Sequence, residues 1–264
     1  MNISRLLSVA PMMERTDRHC RYFFRLLSQQ TLLYSEMINA NAITKGNKTR
    51  LLNFSEIEHP LALQIGGSDP KLLAEATKIG VDWGYDEINL NVGCPSSRVS
   101  SGDFGAVLMK RKDHVAKCVD AMAQFSSNVP ISVKCRIAVD DQDPEEILPS
   151  FIKTVSNSGV SIFIIHARKA ILSGLSPKDN RKIPPIDYNL VKKIKAQFPK
   201  LEICLNGEIK DLSSVMNFIN DGIDGCMIGR EVYKNPSKIL ENADEKIFKK
   251  MDLSGKSKKL RLYE

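Results

Sequence analysis

The stretch from Asn89 to Pro95 carries a thiol out of an apolar run of strand length, between a glycine and a proline. Gly93 allows a backbone conformation that is closed to other residues, and Pro95 cannot donate to a strand ladder, so the strand has to end here. A buried structural cysteine is the plainer interpretation of any single Cys, because free cysteines are among the most buried residues. The flanks instead favour a Cys94 thiol exposed in a functional loop, with Asn89 and Asn91 presented beside it.

Polar and titratable residues end most of the other apolar runs as well. In chain order, the ends are Pro11-Met12-Met13, Glu36, Gln64, Asn91 with Cys94, Lys134 with Arg136, His166 with Arg168, Asn206-Gly207-Glu208 and Gly229-Arg230. An ion pair at a strand end, or a hydrogen-bonded imidazole, would explain any one of them. Their recurrence from run to run predicts that they converge on one site.

Eight apolar runs of strand length alternate with segments of helical period, which is the pattern of a parallel α/β fold. The runs are Leu6–Met13, Leu32–Ile38, Pro60–Gly66, Glu87–Val92, Pro130–Ile137, Ser161–His166, Leu201–Asn206 and Gly225–Ile228. Helix-start signals follow some of them, as at Thr16-Asp17 and Asp69-Pro70. The polar stretch Lys45–Arg50 indicates a loop, and a long charged insertion covers Ala167–Asp187. The alternation predicts a (β/α)8 barrel over residues 1–240, with its active site at the carboxyl ends of the strands.

Two of the polar ends, Asn206-Gly207 and Gly229-Arg230, follow the predicted seventh and eighth strands, where many barrels bind a phosphate. Glycines let backbone N–H groups approach an anion, and an arginine adds a bidentate contact. Either glycine alone is weak support, because strand-to-helix turns often need one. With Gln64, Lys134 and His166 as further donors, the pattern favours a planar, phosphate-bearing cofactor such as FMN. A dinucleotide fold is disfavoured, because no G-x-G-x-x-G follows the first run.

The composition is that of an ordinary globular protein, with 42% hydrophobic and 26% charged residues in a chain of 264. No apolar run approaches the roughly 20 residues that a membrane-spanning helix needs, and the N-terminus lacks the pattern of a signal peptide. We therefore expect a cytoplasmic protein without a membrane partner, and we also expect a monomer. The six cysteines are scattered singly with no C-x-x-C pair, which predicts reduced thiols and no metal site.

The formal net charge of +7 suggests a nucleic-acid partner, but much of the excess is terminal. Between Lys246 and Glu264, six lysines and one arginine stand against two acidic residues. We interpret residues 241–264 as a short basic tail. Such a tail is either a solvated chain end or a source of non-specific affinity for phosphates.

Six longer motifs contain most of the polar strand ends. They are Ala10-Pro-Met-Met, Thr16-Asp-Arg-His-Cys-Arg-Tyr, His59-Pro-Leu-Ala-Leu-Gln-Ile-Gly-Gly, Gly84-Tyr-Asp-Glu-Ile-Asn-Leu-Asn-Val-Gly-Cys-Pro, Ile164-Ile-His-Ala-Arg-Lys-Ala and Leu172-Ser-Gly-Leu-Ser-Pro-Lys. Together they resemble the bacterial tRNA-dihydrouridine synthase family, most closely its A type, from about Leu7 to Phe248. The resemblance implies an FMN-dependent barrel that uses NADPH to reduce uridines of the tRNA D-loop to 5,6-dihydrouridine, with positions 20 and 20a as the expected targets.

The resemblance also implies a role for each candidate residue. Cys94 would donate a proton to C5 of the uracil ring, while hydride reaches C6 from the opposite face. An ordinary thiol suits this task because its pKa, about 8.5, leaves it mainly protonated at neutral pH. Contacts to the flavin would come from Pro11, Met12, Met13, Gln64, Lys134, His166, Asn206, Gly207, Glu208, Gly229 and Arg230. Contacts to tRNA, whose target uridine would be flipped out, would come from Asn91, Lys178 and Arg181.

The sequence departs from the family pattern at three places. Arg15 follows Glu14 where the A type commonly has tryptophan, and Glu208 stands where the phosphate loop usually has a second glycine. A carboxylate beside a phosphate is unfavourable unless it points away. Family members also continue into a C-terminal helical domain that helps to clamp tRNA, so residues 241–264 would be a remnant of that domain.

Two alternatives to an active tRNA reductase remain open on these residues. One is a truncated remnant, weakly active or inactive, that binds FMN or RNA. The other is a flavin barrel that reduces a free pyrimidine base. Lys178 and Arg181 argue against the second alternative, because a small substrate would not need them.

Overall fold

A β-strand occurs at each of the eight predicted apolar runs in the computed structural model, which describes residues 3–96 and 102–248. The strands are β1 Leu7–Val9, β2 Leu33–Asn39, β3 Leu61–Gly66, β4 Glu87–Val92, β5 Ile131–Arg136, β6 Ile162–His166, β7 Glu202–Asn206 and β8 Gly225–Ile228. They form one parallel sheet in the order β1-β8-β7-β6-β5-β4-β3-β2, so that every strand lies beside its neighbours in sequence.

A short parallel bridge between Ser8 and Leu32 brings the first two strands together and closes the sheet. The N–H of Val9 donates to the carbonyl of Leu32 at 2.9 Å, and the N–H of Leu32 donates to the carbonyl of Leu7 at 3.1 Å. The predicted (β/α)8 barrel is thereby confirmed. Strand β1 is shorter than the predicted Leu6–Met13, because the chain turns after it.

Most of the helices lie between consecutive strands, and the last three described follow β8. They are α1 Arg18–Leu27, α2 Ala40–Lys45, α3 Lys48–Leu52, α4 Pro70–Asp82, α5 Lys112–Ala123, α6 Pro144–Ser156, α7 Tyr188–Gln197, α8 Leu212–Asn220, α9 Arg230–Lys234, α10 Pro236–Leu240 and α11 Ala243–Lys246. The predicted start signals are confirmed: the carboxylate of Asp17 accepts the N–H of Cys20, and that of Asp69 accepts the N–H of Lys71. Among the described residues, no helix has both the length and the apolar character needed to cross a membrane.

The loop predicted at Lys45–Arg50 was wrong, because two short helices occupy most of this stretch. Asn39 caps the first by accepting the N–H of Asn41, and Asn47 caps the second by accepting the N–H of Arg50. Asparagine satisfies the free N–H groups at a helix start, so these polar residues begin helices rather than interrupt them.

Side chains alternate along each strand between the helical layer and the interior of the barrel. Residues such as Leu63, Leu90 and Val133 face the helices and belong to the large outer core. A second cluster fills the interior, formed by Ala10, Leu32, Tyr34, Ala62, Ile162, Ile164, Cys204 and Met227. The barrel is therefore a packed core rather than a pore, and ligands can bind only at its ends.

Buried charges complete the amino end of this interior. The Nε of Arg5 donates to Oε2 of Glu87 at 2.7 Å, and its Nη1 donates to Oε2 of Glu202 at 3.1 Å. Burial alone would lower the pKa of Arg5, but the charges of Glu87 and Glu202 outweigh it and raise that pKa. The hydroxyl of Tyr34 donates to Oε1 of Glu87 at 2.6 Å, so several strands share one carboxylate.

The first part of the predicted basic tail packs on the barrel. Ala243 and Ile247 are buried, and the carboxylate of Asp244 accepts the hydroxyl of Ser28 at 2.5 Å and the N–H of Gln29 at 2.7 Å. The domain boundary after residue 240 stays a prediction, and the lysine-rich part from residue 249 onward lies outside the described residues.

Gly225 offers a test of the closure, because β8 passes very close to the chain before β1. A Cβ at Gly225 would lie 1.9 Å from the carbonyl oxygen of Arg5, a backbone atom that cannot move aside. We expect Gly225→Ala to lower the free energy of unfolding by about 3 kcal/mol, measured by chemical denaturation. In the control Gly67→Ala, the new Cβ would meet only side-chain atoms at 3.2 Å, and we expect a loss of about 1 kcal/mol. Equal losses in the two variants would contradict this account of the closure.

Candidate active site

The predicted site residues lie around the rim formed by the carboxyl ends of the strands. Strand register brings them together: Asn91 pairs with Lys134 across β4 and β5, and His166 pairs with Arg136 on one side and Asn206 on the other. These partners sit on adjacent strands at matching heights. The sheet therefore gathers side chains that are far apart in the sequence at one end of the barrel.

Cys94 lies two residues beyond β4 and is half-buried in a loop held from two sides. The side-chain oxygen of Asn91 accepts the N–H of Gly93 at 3.1 Å and that of Cys94 at 2.5 Å. Such bonds from asparagine to the backbone ahead of it turn the chain. From the other side, Nε of Arg136 donates to the carbonyl of Gly93 at 3.0 Å. The thiol thus leaves the strand on a fixed backbone.

The expectation that Asn89 and Asn91 are presented at the loop mouth was wrong in part. Asn89 is fully buried, and Asn91 is only 7% exposed, because both side chains point into the barrel. The Nδ2 of Asn91 donates to Oε1 of Gln64 at 2.8 Å, and the Nε2 of Gln64 donates to Oδ1 of Asn89 at 2.8 Å. The three amides form a hydrogen-bonded set beneath Cys94.

Lys134 reaches the rim from β5 with its amino group aimed at β7. Its Nζ donates to Oδ1 of Asn206 at 3.0 Å, and Nδ2 of Asn206 donates to the carbonyl of Met227 at 2.8 Å. Burial, followed by the charge of Arg136, lowers the pKa of Lys134 to about 8. The amino group is therefore protonated at neutral pH and loses its charge as the pH rises through that value.

The cations of the rim act on one another. Burial, followed by Arg136 and Lys134, holds the pKa of His166 well below its usual value, so its imidazole is neutral at pH 7. Burial and then the charge of Arg230 lower the pKa of Arg181. Among the described residues, Lys134, Arg136, Arg181 and Arg230 form no ion pair with a carboxylate. A cluster of partly buried cations without carboxylate partners is suited to bind an anion.

The two glycines predicted to bind a phosphate, Gly207 and Gly229, lie at the same rim, and side chains at these positions would meet neighbouring residues. Gly207 has φ of +126°, and a Cβ there would come within 3.0 Å of the imidazole of His166 and of the side chain of Ile186. Only glycine fits that backbone. Gly229 follows β8, and a Cβ on it would contact Ala10 at 3.4 Å. The two glycines therefore leave bare backbone beside the cations of the rim.

The carboxylate of Glu208 is turned toward Arg168 rather than left free in the phosphate loop. Its Oε1 lies 2.9 Å from Nη2 of Arg168, and the residue has φ of +49°, in the region that favours glycine. Glycine adopts such a backbone without strain, and the carboxylate of Glu208 is paired with Arg168 rather than free beside the predicted phosphate site. Arg168 is buried, and its Nη1 also donates to the carbonyls of Lys182 and Pro184.

The insertion after β6 folds onto the rim instead of extending into solvent. Asn180 is fully buried. Its Oδ1 accepts the N–H of Ile171 at 2.7 Å, and its Nδ2 donates to the carbonyl of Ile171 at 2.8 Å. The Nη1 of Arg136 donates to the carbonyl of Asn180 at 3.1 Å, and Nη2 of Arg230 to that of Arg181 at 3.4 Å. Arg181 is thereby placed at the rim, whereas Lys178 is exposed to solvent.

The loop after β1 contributes the remaining predicted residues. Thr16 is buried, and its hydroxyl oxygen accepts the N–H of Met12 at 3.0 Å, which fixes the turn. Pro11 and Met12 are half-buried, while Met13 is 57% exposed. An exposed methionine at the rim offers an apolar surface to a ring or a base.

Sequence reasoning noticed Arg136 and Arg168 at strand ends but assigned them no role. The structure shows that these two buried arginines join the Cys94 loop, the insertion and the loop after β7. The available signal was an arginine at the end of an apolar run, as at Arg136, or two residues beyond it, as at Arg168. In residues 3–96 and 102–248, no group of three His, Cys, Asp or Glu side chains is placed to hold a metal ion.

Removing the charge of Glu208 tests its pairing with Arg168. Glu208→Gln leaves a buried guanidinium without its carboxylate, and we expect a loss of about 1–2 kcal/mol in the free energy of unfolding, since Glu208 itself is partly solvated. Glu145→Gln, in the exposed pair with Lys193, is the matched control and should cost less than about 0.5 kcal/mol. Thermal or chemical denaturation measures both, and equal small effects would show that Glu208 does not neutralise Arg168.

The sequence is similar to several bacterial proteins that share one name. The chain is 53% identical over 247 residues to the tRNA-dihydrouridine(20/20a) synthase of Synechocystis sp., covering 94% of this chain and 73% of the relative. It is 55% identical over 246 residues to the Escherichia coli K12 protein of that name, covering 93% and 70%. The Vibrio cholerae protein is 54% identical over 243 residues, covering 92% and 73%.

Solved structures of low identity share the fold. The chain superimposes on TcOYE, solved with pHBA, with a TM-score of 0.60 at 9% identity, covering 92% of each chain. It superimposes on morphinone reductase in complex with tetrahydroNAD with a TM-score of 0.59 at 11% identity, covering 92% and 90%. The dihydrouridine synthase (Dus) family model matches residues 8–262, nearly the whole sequence. With a barrel of this form and a thiol, cations and glycines at its rim, the chain belongs to the dihydrouridine synthase family.

Proposed function

We propose that this protein reduces uridine to 5,6-dihydrouridine in the D-loop of tRNA, at positions 20 and 20a, with bound FMN and with NADPH as the reductant. One observation carries the proposal: the half-buried thiol of Cys94 sits on a fixed loop at a rim of cations that lack carboxylate partners. The substrate is suggested by relatives at 53–55% identity, whose name is tRNA-dihydrouridine(20/20a) synthase.

The residues of the rim support flavin mononucleotide as the cofactor in this proposal. The backbone at Gly207 and Gly229 and the guanidinium of Arg230 would bind the phosphate, and the amino group of Lys134 and the amide of Gln64 would bind polar atoms of the ring. The other flavin contacts in this proposal are Pro11, Met12, Met13, His166, Asn206 and Glu208. When bound and reduced, the flavin supplies the hydride that C6 of the uracil ring accepts.

Cys94 supplies the second hydrogen. As C6 gains hydride, the C5–C6 double bond is lost and its electron pair takes the proton of the thiol at C5. The thiolate that remains recovers a proton from water. The bonds from Asn91 and Arg136 keep the backbone of Cys94 in place during this transfer. A proton donor fixed in this way loses little entropy in reaching its position.

The positively charged insertion provides the contact to RNA. Arg181 lies at the rim and Lys178 is exposed beside it, so both can bind phosphates of a tRNA whose uridine has been flipped toward Cys94. Asn91, predicted as a contact to the flipped nucleotide, would act on it through the Cys94 loop, whose backbone its buried side chain holds. In this proposal residues 1–240 form the catalytic unit, and the monomeric protein works in the cytoplasm beside its tRNA.

Replacement of the thiol tests the proposal. We expect Cys94→Ala to keep its flavin but to form dihydrouridine at least about 10²-fold more slowly, because no proton donor remains at C5. Mass spectrometry of nucleosides from unmodified tRNA, incubated with protein and NADPH, measures the product. Cys20→Ala removes another half-buried thiol, far in sequence from β4, and should retain the wild-type rate.

Three outcomes would contradict the proposal. Undiminished product from Cys94→Ala would remove the thiol from the mechanism. A wild-type protein that binds reducible flavin but forms no product at any tRNA concentration would support an inactive remnant, and reduction of free uracil in preference to tRNA would support a pyrimidine reductase.

The charge of Lys134 predicts how FMN binding depends on pH. Because the pKa of Lys134 is about 8 in the free protein, deprotonation above that value removes a positive charge from the site. We expect the Kd for FMN, measured by quenching of flavin fluorescence between pH 7 and 9.5, to rise above pH 8 by up to about tenfold per unit. Lys134→Met should bind FMN weakly throughout, without that rise. The same rise in Lys134→Met would assign the effect to another group.

A further inference from the structure

A continuous set of hydrogen bonds crosses the interior of the barrel from its amino end to the Cys94 loop. We call this set the polar column; its members are Glu87, Ser132, Asn89, Gln64 and Asn91. Their exposed fractions are 0%, 0%, 0%, 1% and 7%. Burial of so many polar groups is unfavourable unless each finds a partner, and each of these does.

Every bond of the polar column runs in the same direction. Asn91 donates to Gln64, Gln64 donates to Asn89, and Asn89 donates to the hydroxyl of Ser132, each at 2.8 Å. The hydroxyl of Ser132 in turn donates to Oε1 of Glu87. At the other end, the oxygen of Asn91 is left to accept the N–H groups of Gly93 and Cys94.

The carboxylate at one end of the polar column and the backbone N–H groups at the other end require the same direction. An amide can turn over and exchange its oxygen for its NH2 group, whereas a carboxylate only accepts. Because Glu87 accepts from Ser132, the hydroxyl oxygen must accept from the NH2 of Asn89. The oxygen of Asn89 then faces Gln64 and accepts its NH2 group. The oxygen of Gln64 in turn faces Asn91 and accepts the NH2 group of Asn91. The other carboxylate oxygen of Glu87, Oε2, accepts from Nε of Arg5 at 2.7 Å.

We propose that Glu87, acting through the polar column, is a positioning residue that fixes the amide orientations of Gln64 and Asn91 and so holds the backbone of Cys94. The proposal rests on the proposed function, in which Cys94 donates the proton. With Asn91 reversed, its NH2 group would face the N–H groups of Gly93 and Cys94, and the loop would lose both bonds. Gln64, a proposed flavin contact, would reverse with it.

Ser132 and Tyr34 provide a matched pair of variants. Both hydroxyls donate to Oε1 of Glu87, but only Ser132 also accepts from Asn89 and so belongs to the polar column. Ser132→Ala breaks the column, whereas Tyr34→Phe removes a hydroxyl from the same carboxylate and leaves the column intact. Any effect on the stability of the barrel alone should be common to both.

Two readouts separate a positioning role from a structural one. The first is the rate at which iodoacetamide alkylates Cys94 in the flavin-loaded protein, followed by peptide mass spectrometry. We expect several-fold faster alkylation in Ser132→Ala, because the loop is freed, and no change in Tyr34→Phe. Cys118, Cys135, Cys204 and Cys226 are buried, and their labelling reports any general unfolding. The second readout is kcat for tRNA reduction, which should fall about tenfold or more in Ser132→Ala while flavin reduction by NADPH continues.

The proposal would be overturned if Ser132→Ala and Tyr34→Phe gave the same alkylation rate of Cys94 and the same kcat, whether both values match the wild type or both differ from it equally. If Ser132→Ala does not fold, Asn89→Leu breaks the column at the next bond with a side chain of similar size, and the same results are expected. If the wild-type protein does not reduce tRNA, the proposed function is wrong. The alkylation rate of Cys94 would still decide whether the polar column holds the Cys94 loop.

Discussion

The ion pair between Arg5 and Glu87 is the contact on which the interior of the barrel depends. A carboxylate left unpaired at full burial would cost several kcal/mol, and here it binds Arg5 on one oxygen and the hydroxyls of Tyr34 and Ser132 on the other. The groups come from strands β2, β4 and β5 and from the segment before β1, so one charge joins elements from distant parts of the sequence. Because the interior is filled and closed at this end, chemistry is confined to the opposite rim.

The two ends of the barrel differ in whether their buried cations have carboxylate partners. At the amino end, Arg5 is neutralised by Glu87 and Glu202. At the rim, Glu208 neutralises Arg168, while the remaining cations lower one another's pKa, as Arg230 does for Arg181. Unneutralised charge at a partly buried place is unfavourable until an anion arrives. A flavin phosphate and the backbone of tRNA are anions of the kind that would relieve it.

Much of the fold could be predicted, because a parallel barrel repeats the local pattern of an apolar strand followed by a helix. The polar residues at the ends of the strands mark the rim. The short helices at Ala40–Lys45 and Lys48–Leu52 were missed because they have only 6 and 5 residues, too few to show a helical period, and because asparagine caps begin them. The pairing of Arg168 with Glu208 could not be read from local sequence, since the two follow different strands. The polar column did leave a signal: in Glu87–Val92, acid and amides alternate with Ile, Leu and Val. A period of two means that one face is polar, and in a barrel that face is the interior.

The most direct test of the whole account is to locate the product of the purified protein. Unmodified tRNA transcripts, with either uridine or cytidine at positions 20 and 20a, would be incubated with the flavin-loaded protein and NADPH, and dihydrouridine would be mapped by mass spectrometry of oligonucleotide fragments. We expect dihydrouridine at positions 20 and 20a of the first transcript and none in the second. Product at other uridines, or equal amounts in both transcripts, would contradict it.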